Sequence, residues 1–332
     1  MKVLITGATG LVGSNLAERL SAEGSDEIRV LVRKESDLQF LKTLARIEFC
    51  YGDIRQKESL AAALAGVDAV YHCAAYVSDW ASRDEMYDIN VNGLRNMMDA
   101  ALSAKVKRFV YVSSMVVLGM DAQHNLDELA PYVHTGDNYN YTKIEAEKLA
   151  IAYAVDKDLP IAILRPPYIY GPRDRQLLPR ILKYLKNGQY KYIDGGNNPF
   201  NLVYVGNLVS AMIAAARAEK AAGQIYHITD GQNITRRQLV ELICDVLGYK
   251  RPQKSVPIGV ARVVAGILEG VNKLLGIKTP PILNKFRIKF MYTPLTFNIA
   301  KARRELGYCP KPFAQCMTET LTWYKKAGLE PA

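Results

Sequence analysis

The sequence predicts an α/β fold: a doubly wound parallel sheet with a smaller C-terminal α+β unit. Three observations carry this. Short apolar or β-branched runs alternate with stretches of helical periodicity, a glycine-spaced turn joins the first run to the first helix, and no internal repeat interrupts the alternation. The first run is residues 3–6. Gly7, Gly10 and Gly13 follow at intervals of three, and apolar Leu11, Leu16 and Leu20 then alternate with Ser14, Asn15, Glu18 and Arg19 as in an amphipathic helix.

That order of strand, turn and helix suits a pyrophosphate. A helix N-terminus offers unpaired N–H donors and a partial positive charge. Gly7 permits a tight turn, Gly10 removes a side chain where phosphate oxygens sit, and Gly13 lets helix and strand pack closely. Thr9, Leu11 and Val12 complete the expected cofactor loop, which makes the sheet a Rossmann-type dinucleotide site.

At 332 residues and 49% hydrophobic, the chain has room for one large domain and a smaller one. The division expected is residues 1–165 and 200–230 for the dinucleotide domain, with 166–199 and 231–332 binding substrate. The five cysteines form no C-x-x-C pair and the histidines number four, so no metal site is expected. A strand from residue 2 leaves no room for a leader, and reduced thiols point to the cytoplasm. The net charge of +10 admits an anionic cofactor, a membrane surface or nucleic acid. No zinc finger, basic zipper or aromatic RNA-binding string accompanies it, so nucleic acid is set aside.

Residues 28–32 form the second expected strand, ending at Arg33 and Lys34. An arginine about twenty residues past the glycines accommodates a 2′-phosphate, favouring NADP(H), while Glu35 or Asp37 could reach the ribose of NAD. After the strand at 47–51, Asp53 either meets an adenine amino group or caps the helix starting near Gln56, and Ile54 follows beside it. Residues 69–73 lead into Ala74 and Ala75, small enough for a cofactor to lie on the backbone, and His72 reads as a core residue. One long helix is expected over 84–105, with Asn90 and Asn92 on its surface, and then a strand at 108–113 followed by Ser114.

Tyr139 and Lys143 stand four residues apart on one helix face. Tyr153 and Lys157 repeat the spacing, but lie about 21 Å further from the sheet edge where a cofactor would sit. A phenol of pKa near 10 is a poor base at neutral pH. An ammonium about 5 Å away would favour phenolate by roughly 3 kcal/mol, about 2 pKa units. Ser114 would donate a hydrogen bond to the substrate oxygen.

Taken in order, TGATGLVG (6–13), GDI (52–54), HCAA (72–75), NVNG (90–93), YVSS (111–114), YNYTK (139–143) and RPPYIYGP (165–172) resemble the extended short-chain dehydrogenase/reductase superfamily, of the NAD-dependent epimerase/dehydratase type. The resemblance runs nearly end to end. It implies that Tyr139 is the general acid/base, that Lys143 tunes it and binds the nicotinamide ribose, and that Pro166 borders the cofactor. It selects Ser114 over Ser113 by the spacing to Gly119. Leu118 stands where a tyrosine is common, which counts against a nucleotide-sugar substrate. NIAKARRELGY (298–308) is similar to the 3β-hydroxysteroid dehydrogenase and dihydroflavonol reductase branches.

In the substrate half, Pro166-Pro167 forces a loop, residues 200–205 read as a strand, and residues 225–229 as the last strand. Thr235 is expected to cap a helix running to Leu247. Arg173, Arg175, Arg180, Lys183 and Lys186 are either a diphosphate clamp or a solvated face. Over 258–277, Val260, Val263, Val264, Ile267, Leu268, Val271, Leu274 and Leu275 form an apolar stripe. Arg262, Glu269 and Lys273 interrupt the run, so it is no membrane span. It packs on the sheet domain, covers an apolar substrate, or lies on a membrane with help from Lys278, Lys285, Arg287 and Lys289.

The function expected is a reductase or dehydrogenase acting on a secondary alcohol or ketone of a fairly apolar small molecule, in a homodimer. The alternatives are a nucleotide-sugar epimerase/dehydratase with tightly bound NAD and a non-catalytic NADP-binding regulatory protein.

Overall fold

A computed structural model describes residues 1–78, 81–119, 121–277, 281, 284, 288–289 and 292–328. Lys278, Lys285 and Arg287 therefore lie outside the described residues. The first half alternates as expected: β1 (Lys2–Thr6), α1 (Leu11–Glu23), β2 (Glu27–Val32), β3 (Ile47–Tyr51), α2 (Leu60–Leu64) and β4 (Ala69–His72). Then come α3 (Arg83–Tyr87), α4 (Gly93–Ser103), β5 (Arg108–Val112), β6 (Gln123–Leu126), α5 (Asn138–Asp156) and β7 (Ile161–Arg165).

The second half runs β8 (Tyr168–Tyr170), α6 (Leu177–Lys186), β9 (Tyr192–Ile193), β10 (Leu202–Tyr204), α7 (Val205–Arg217) and β11 (Gln224–His227). It continues through α8 (Arg236–Leu247), β12 (Ser255–Val256), α9 (Ile258–Leu274) and β13 (Leu295–Phe297) to helices Ala300–Leu306 and Phe313–Lys326.

Seven strands form one parallel sheet in the order β11-β7-β5-β4-β1-β2-β3. Strand order reverses beside β1, which pairs with β2 on one side (Ile5 opposite Val30) and β4 on the other (Ile5 opposite Tyr71). In such sheets the crevice at the carboxyl ends of the switch-point strands receives the ligand. Helices cover both faces, so the central strands are buried on both sides and read as largely apolar runs, whereas edge strand β3 leaves Glu48 and Tyr51 exposed. On one face α1 and α7 pack through Leu16, Leu20, Val209 and Met212; on the other α4 and α5 pack through Leu94, Met97, Met98, Ala146 and Ala150. Burying Leu16 and Leu20 alone stabilises by about 3–6 kcal/mol relative to exposure.

A separate apolar cluster joins α6, α8 and the helix Phe313–Lys326 around Tyr170, Tyr192 and Phe200. Thr235 caps α8 as expected, completing a reciprocal box with Gln238.

Three expectations need correction. The strand at 200–205 shortens to β10 and pairs with β8 outside the large sheet, because the chain emerging from Pro166-Pro167 resumes as a strand after the loop. The helix over 84–105 is broken in hydrogen-bond pattern by a π-helical turn, Asp88–Asn92, which carries Asn90 inward. The stripe on α9 does not pack on the sheet domain. Ala261 and Ala265 form its buried face, against Ile288, Ile193 and Val256, and the larger aliphatic residues point outward.

Candidate active site

The glycine turn lies at the switch point. Gly7 has φ +67°, and a Cβ on it would come within 2.8 Å of the Cys73 and Ala74 backbone where β4 ends. A Cβ on Gly13 would lie 2.3 Å from the Gly7 carbonyl oxygen, so α1 packs directly on the turn that precedes it. Gly10 differs: its Cβ would meet only the Gly7 oxygen, at 3.3 Å, and the residue is exposed. Gly10 is also the N-cap of α1, with no side-chain cap and no acidic residue in the first turn. Leu11, Val12 and Gly13 thus begin a 13-residue helix whose first N–H groups have no intrahelical acceptor. An open cradle beside an uncapped helix start fits a dinucleotide pyrophosphate. Half-buried Thr9 lies in the same turn.

Beyond it, at the carboxyl ends of β2 and β3, Arg33 is exposed and lies 3.6 Å from Glu35. Asp53 neither caps a helix nor points free: it accepts from the Arg55 backbone N–H (2.9 Å) and side chain (2.6 Å). The Arg55 guanidinium holds the Asp53 carboxyl below its usual range. Arg55 was not singled out by the sequence. Ile54 is buried beneath Gly93, and its carbonyl accepts from Asn96. The Ala74 N–H donates to Thr6 Oγ1, and Ala75 is exposed beside it. His72 is the core residue expected; its ring shares a 3.0 Å hydrogen bond with Thr6, and burial drops its pKa to about 3.

Ser114 follows β5, and Tyr139 opens α5, whose N-cap is Asp137. The structure brings the two together: the Ser114 hydroxyl lies near enough to the Tyr139 phenol to lower its pKa, while Ser114 Oγ accepts from the Val116 N–H at 3.2 Å. Ser113 faces the other way, donating to Glu147. Tyr153 is likewise committed elsewhere, donating to Asp99 at 2.7 Å beneath the Lys157 ammonium.

The electrostatics of Tyr139 depart from expectation. Burial of its hydroxyl pushes the pKa up to about 12, against a smaller lowering by Ser114. The Lys143 ammonium does not offset this because it donates elsewhere, to Tyr111 Oη (2.9 Å) and the Val112 carbonyl (3.0 Å). Desolvation brings Lys143 itself down to about 8, the Glu147 carboxylate opposing. Pro166 is buried beside this strand edge and accepts from the Met115 N–H.

Two supporting groups were missed in the sequence. Asn90, brought inward by the π turn, accepts from the Tyr76 N–H (2.7 Å) and donates to the Tyr76 carbonyl and Thr142 Oγ1. It ties the loop after Ala75 to the helix carrying Tyr139. Glu147, one turn past Lys143 and fully buried, takes a guanidinium hydrogen bond of 2.6 Å from Arg165 and hydroxyl bonds from Tyr132 and Ser113. The Y-x-x-x-K-x-x-x-E spacing was the available signal.

The basic residues after Pro166 separate. Arg173 reaches back to α1, donating to Ser14 Oγ and Glu18 and lying 4.0 Å over Phe40. Arg180, Lys183 and Lys186 are on the exposed face of α6, opposite Leu178, Ile181 and Leu185. Among the described residues, no cluster of His, Cys, Asp or Glu could hold a metal, and no helix is long and apolar enough to cross a membrane.

Residues 3–229 match the family model for the NAD dependent epimerase/dehydratase family. Over 280 residues the chain is 33% identical to a 3beta-hydroxysteroid-dehydrogenase/decarboxylase isoform 2 from Arabidopsis thaliana, covering 80% of this chain; it spans 50% of the length of that plant protein. It is 30% identical to Sterol demethylase protein B of Methylococcus capsulatus, over 99% of this chain and 100% of that one. The crystal structure of gox2253 superposes with a TM-score of 0.83 at 30% identity, covering 99% of both chains. Fold, glycine cradle and sequence agree: the chain belongs to the NAD-dependent epimerase/dehydratase family of extended short-chain dehydrogenases/reductases.

Proposed function

We propose that this chain is an NAD(P)-dependent oxidoreductase acting on a secondary alcohol or ketone of a fairly apolar, sterol-like or polyketide-like molecule. The observation that carries the reading is the Ser114–Tyr139 hydroxyl pair, one helical turn from Lys143, at the carboxyl edge of a sheet whose switch point holds an open glycine cradle. The relatives named for sterol chemistry support the apolar substrate.

Gly7, Thr9, Gly10, Leu11, Val12 and Gly13 hold the pyrophosphate, Ile54, Ala74, Ala75 and Pro166 border the cofactor, and Lys143 donates to the nicotinamide ribose. When bound, the nicotinamide gives or takes the hydride. Ser114 and Tyr139 hold the substrate oxygen. With a pKa of about 12 the phenol is protonated at neutral pH, so Tyr139 is poised to donate its proton as a carbonyl is reduced. Alcohol oxidation needs the phenolate, and hence a Lys143 ammonium turned from Tyr111 toward Tyr139.

Arg33 supports NADP(H) over NAD, although Glu35 lies close enough to temper it. The five free thiols suit a reducing cytoplasm, and the reading includes a homodimer. Following NADPH absorbance across ketosteroids, dihydroflavonols and sugar nucleotides tests the substrate class. Reduction of a ketosteroid or dihydroflavonol is expected, with NADPH preferred and the preference lost in Arg33→Ala; turnover confined to sugar nucleotides would overturn it.

A further inference from the structure

Helix α9 is built inside out. Its buried contacts come from Ala261 and Ala265, 2% and 0% exposed, while Val263, Ile267 and Leu274 are 63%, 61% and 87% exposed. At 100° per residue, Val260, Val263, Val264, Ile267, Val271 and Leu274 fall within an arc of about 100°. Arg262, Glu269 and Lys273 lie on the opposite side. The exposed surface of those six residues is on the order of 500 Å², the size of the largest apolar patch on a typical soluble monomer, which is often a functional surface. It also falls short of the roughly 800 Å² per partner that a standard stable interface buries.

Charge identifies the occupant. From Ile258 to Lys289 the sequence carries six basic residues and one acid, within a chain of net charge +10. Beside the helix opens a cleft of about 520 Å³, lined by Arg262, Ile288, Tyr292, Pro294 and the ion pair Lys289–Asp121 (3.1 Å). An outward aliphatic arc in a strongly basic segment is the composition of a helix that lies in a membrane interface.

We propose that α9 docks this chain on an anionic phospholipid bilayer, placing Val263, Ile267 and Leu274 at the boundary between headgroups and acyl chains. The proposal goes beyond the catalytic reading, since it stands on surface and charge and holds whatever the substrate is.

The test is sedimentation of the full chain with phosphatidylcholine vesicles, with and without phosphatidylglycerol. The wild type is compared with Ile267→Glu/Val271→Glu, both at exposed positions, so the variant's circular dichroism and dinucleotide affinity should match wild type. The expected result is sedimentation with the phosphatidylglycerol vesicles, weakened by salt, and a loss of about tenfold per replaced residue. A wild type that stays in the supernatant, sediments equally with phosphatidylcholine alone, or is matched by the double variant overturns the proposal. So does a wild-type dimer that the double variant splits while vesicles capture neither, because a second copy would then cover the face.

Discussion

Replacing Glu147 by glutamine keeps the volume of the side chain but removes the charge that Arg165 is buried against. The guanidinium is 2% exposed and the carboxylate 0%, joined at 2.6 Å. The further neighbours of Arg165 among the described residues, the Glu128 carbonyl at 3.3 Å, the His227 ring at 3.4 Å and the Tyr132 ring at 5.8 Å, carry no compensating charge. Breaking such a pair by removing one partner leaves an uncompensated buried charge, at a cost of about 3–5 kcal/mol. Urea unfolding should show a loss of that size in Glu147→Gln. Replacing both partners, as in Glu147→Leu/Arg165→Met, removes the stranded charge. The double variant should therefore be more stable than the sum of the single losses predicts, by about 2 kcal/mol or more, even though Ser113 and Tyr132 lose their acceptor. A loss under about 1 kcal/mol in Glu147→Gln, or strict additivity in the double, would refute the reasoning.

Three further outcomes follow from the same structure. Asp230 is buried against Tyr170, Asn207 and the Tyr204 N–H, and desolvation raises its pKa to about 6. A carboxyl with a raised folded pKa contributes stability present below its unfolded pKa and lost as pH climbs through about 6. The stability of wild type relative to Asp230→Asn should accordingly fall by about 3 kcal/mol between pH 4 and pH 7, and a flat difference would contradict it. In Gly13→Ala the new methyl would sit 2.3 Å from the Gly7 oxygen, backbone that cannot yield without moving α1; dinucleotide affinity by fluorescence titration should drop at least about tenfold. Lys143, brought down to about 8 by burial, loses its ammonium as pH rises through that value. The profile of kcat/KM for ketone reduction should thus decline above about pH 8, whereas an alkaline limb near 10 would mean the lysine is not desolvated in the working enzyme.

The parts legible in the sequence were those whose cause is local. The glycine turn and the Thr235 cap with Gln238 three residues on each depend on spacing along one strand or helix. Spacing alone did not separate Tyr139 from Tyr153, and in the structure Tyr153 and Lys157 both meet Asp99. What stayed hidden depends on partners far apart in the chain. Asn90 looked like a surface residue because nothing in its neighbourhood announces a π turn, and its partners are at Tyr76 and Thr142. Arg173 read as part of either a diphosphate clamp or a solvated face and instead clasps α1, some 155 residues earlier at Glu18. The α9 stripe was found by periodicity, but periodicity reports that a face is apolar and not which face is covered. Two alanines that carry little hydrophobic weight turned out to be its buried side. The pKa of Tyr139 was misjudged for a related reason: the four-residue spacing places Lys143 nearby, yet the partner that holds its ammonium, Tyr111, comes from a different strand.

The central claim is that the phenol of Tyr139 is the proton donor and acceptor of the reaction. Its most direct test is Tyr139→Phe, which deletes one oxygen and leaves the ring in place, measured for dinucleotide affinity and for the rate of NADPH consumption with an active ketone. The account predicts affinity within about twofold of wild type and a rate lower by about a hundredfold or more. A variant that binds the dinucleotide equally and keeps its rate within about fivefold would contradict it.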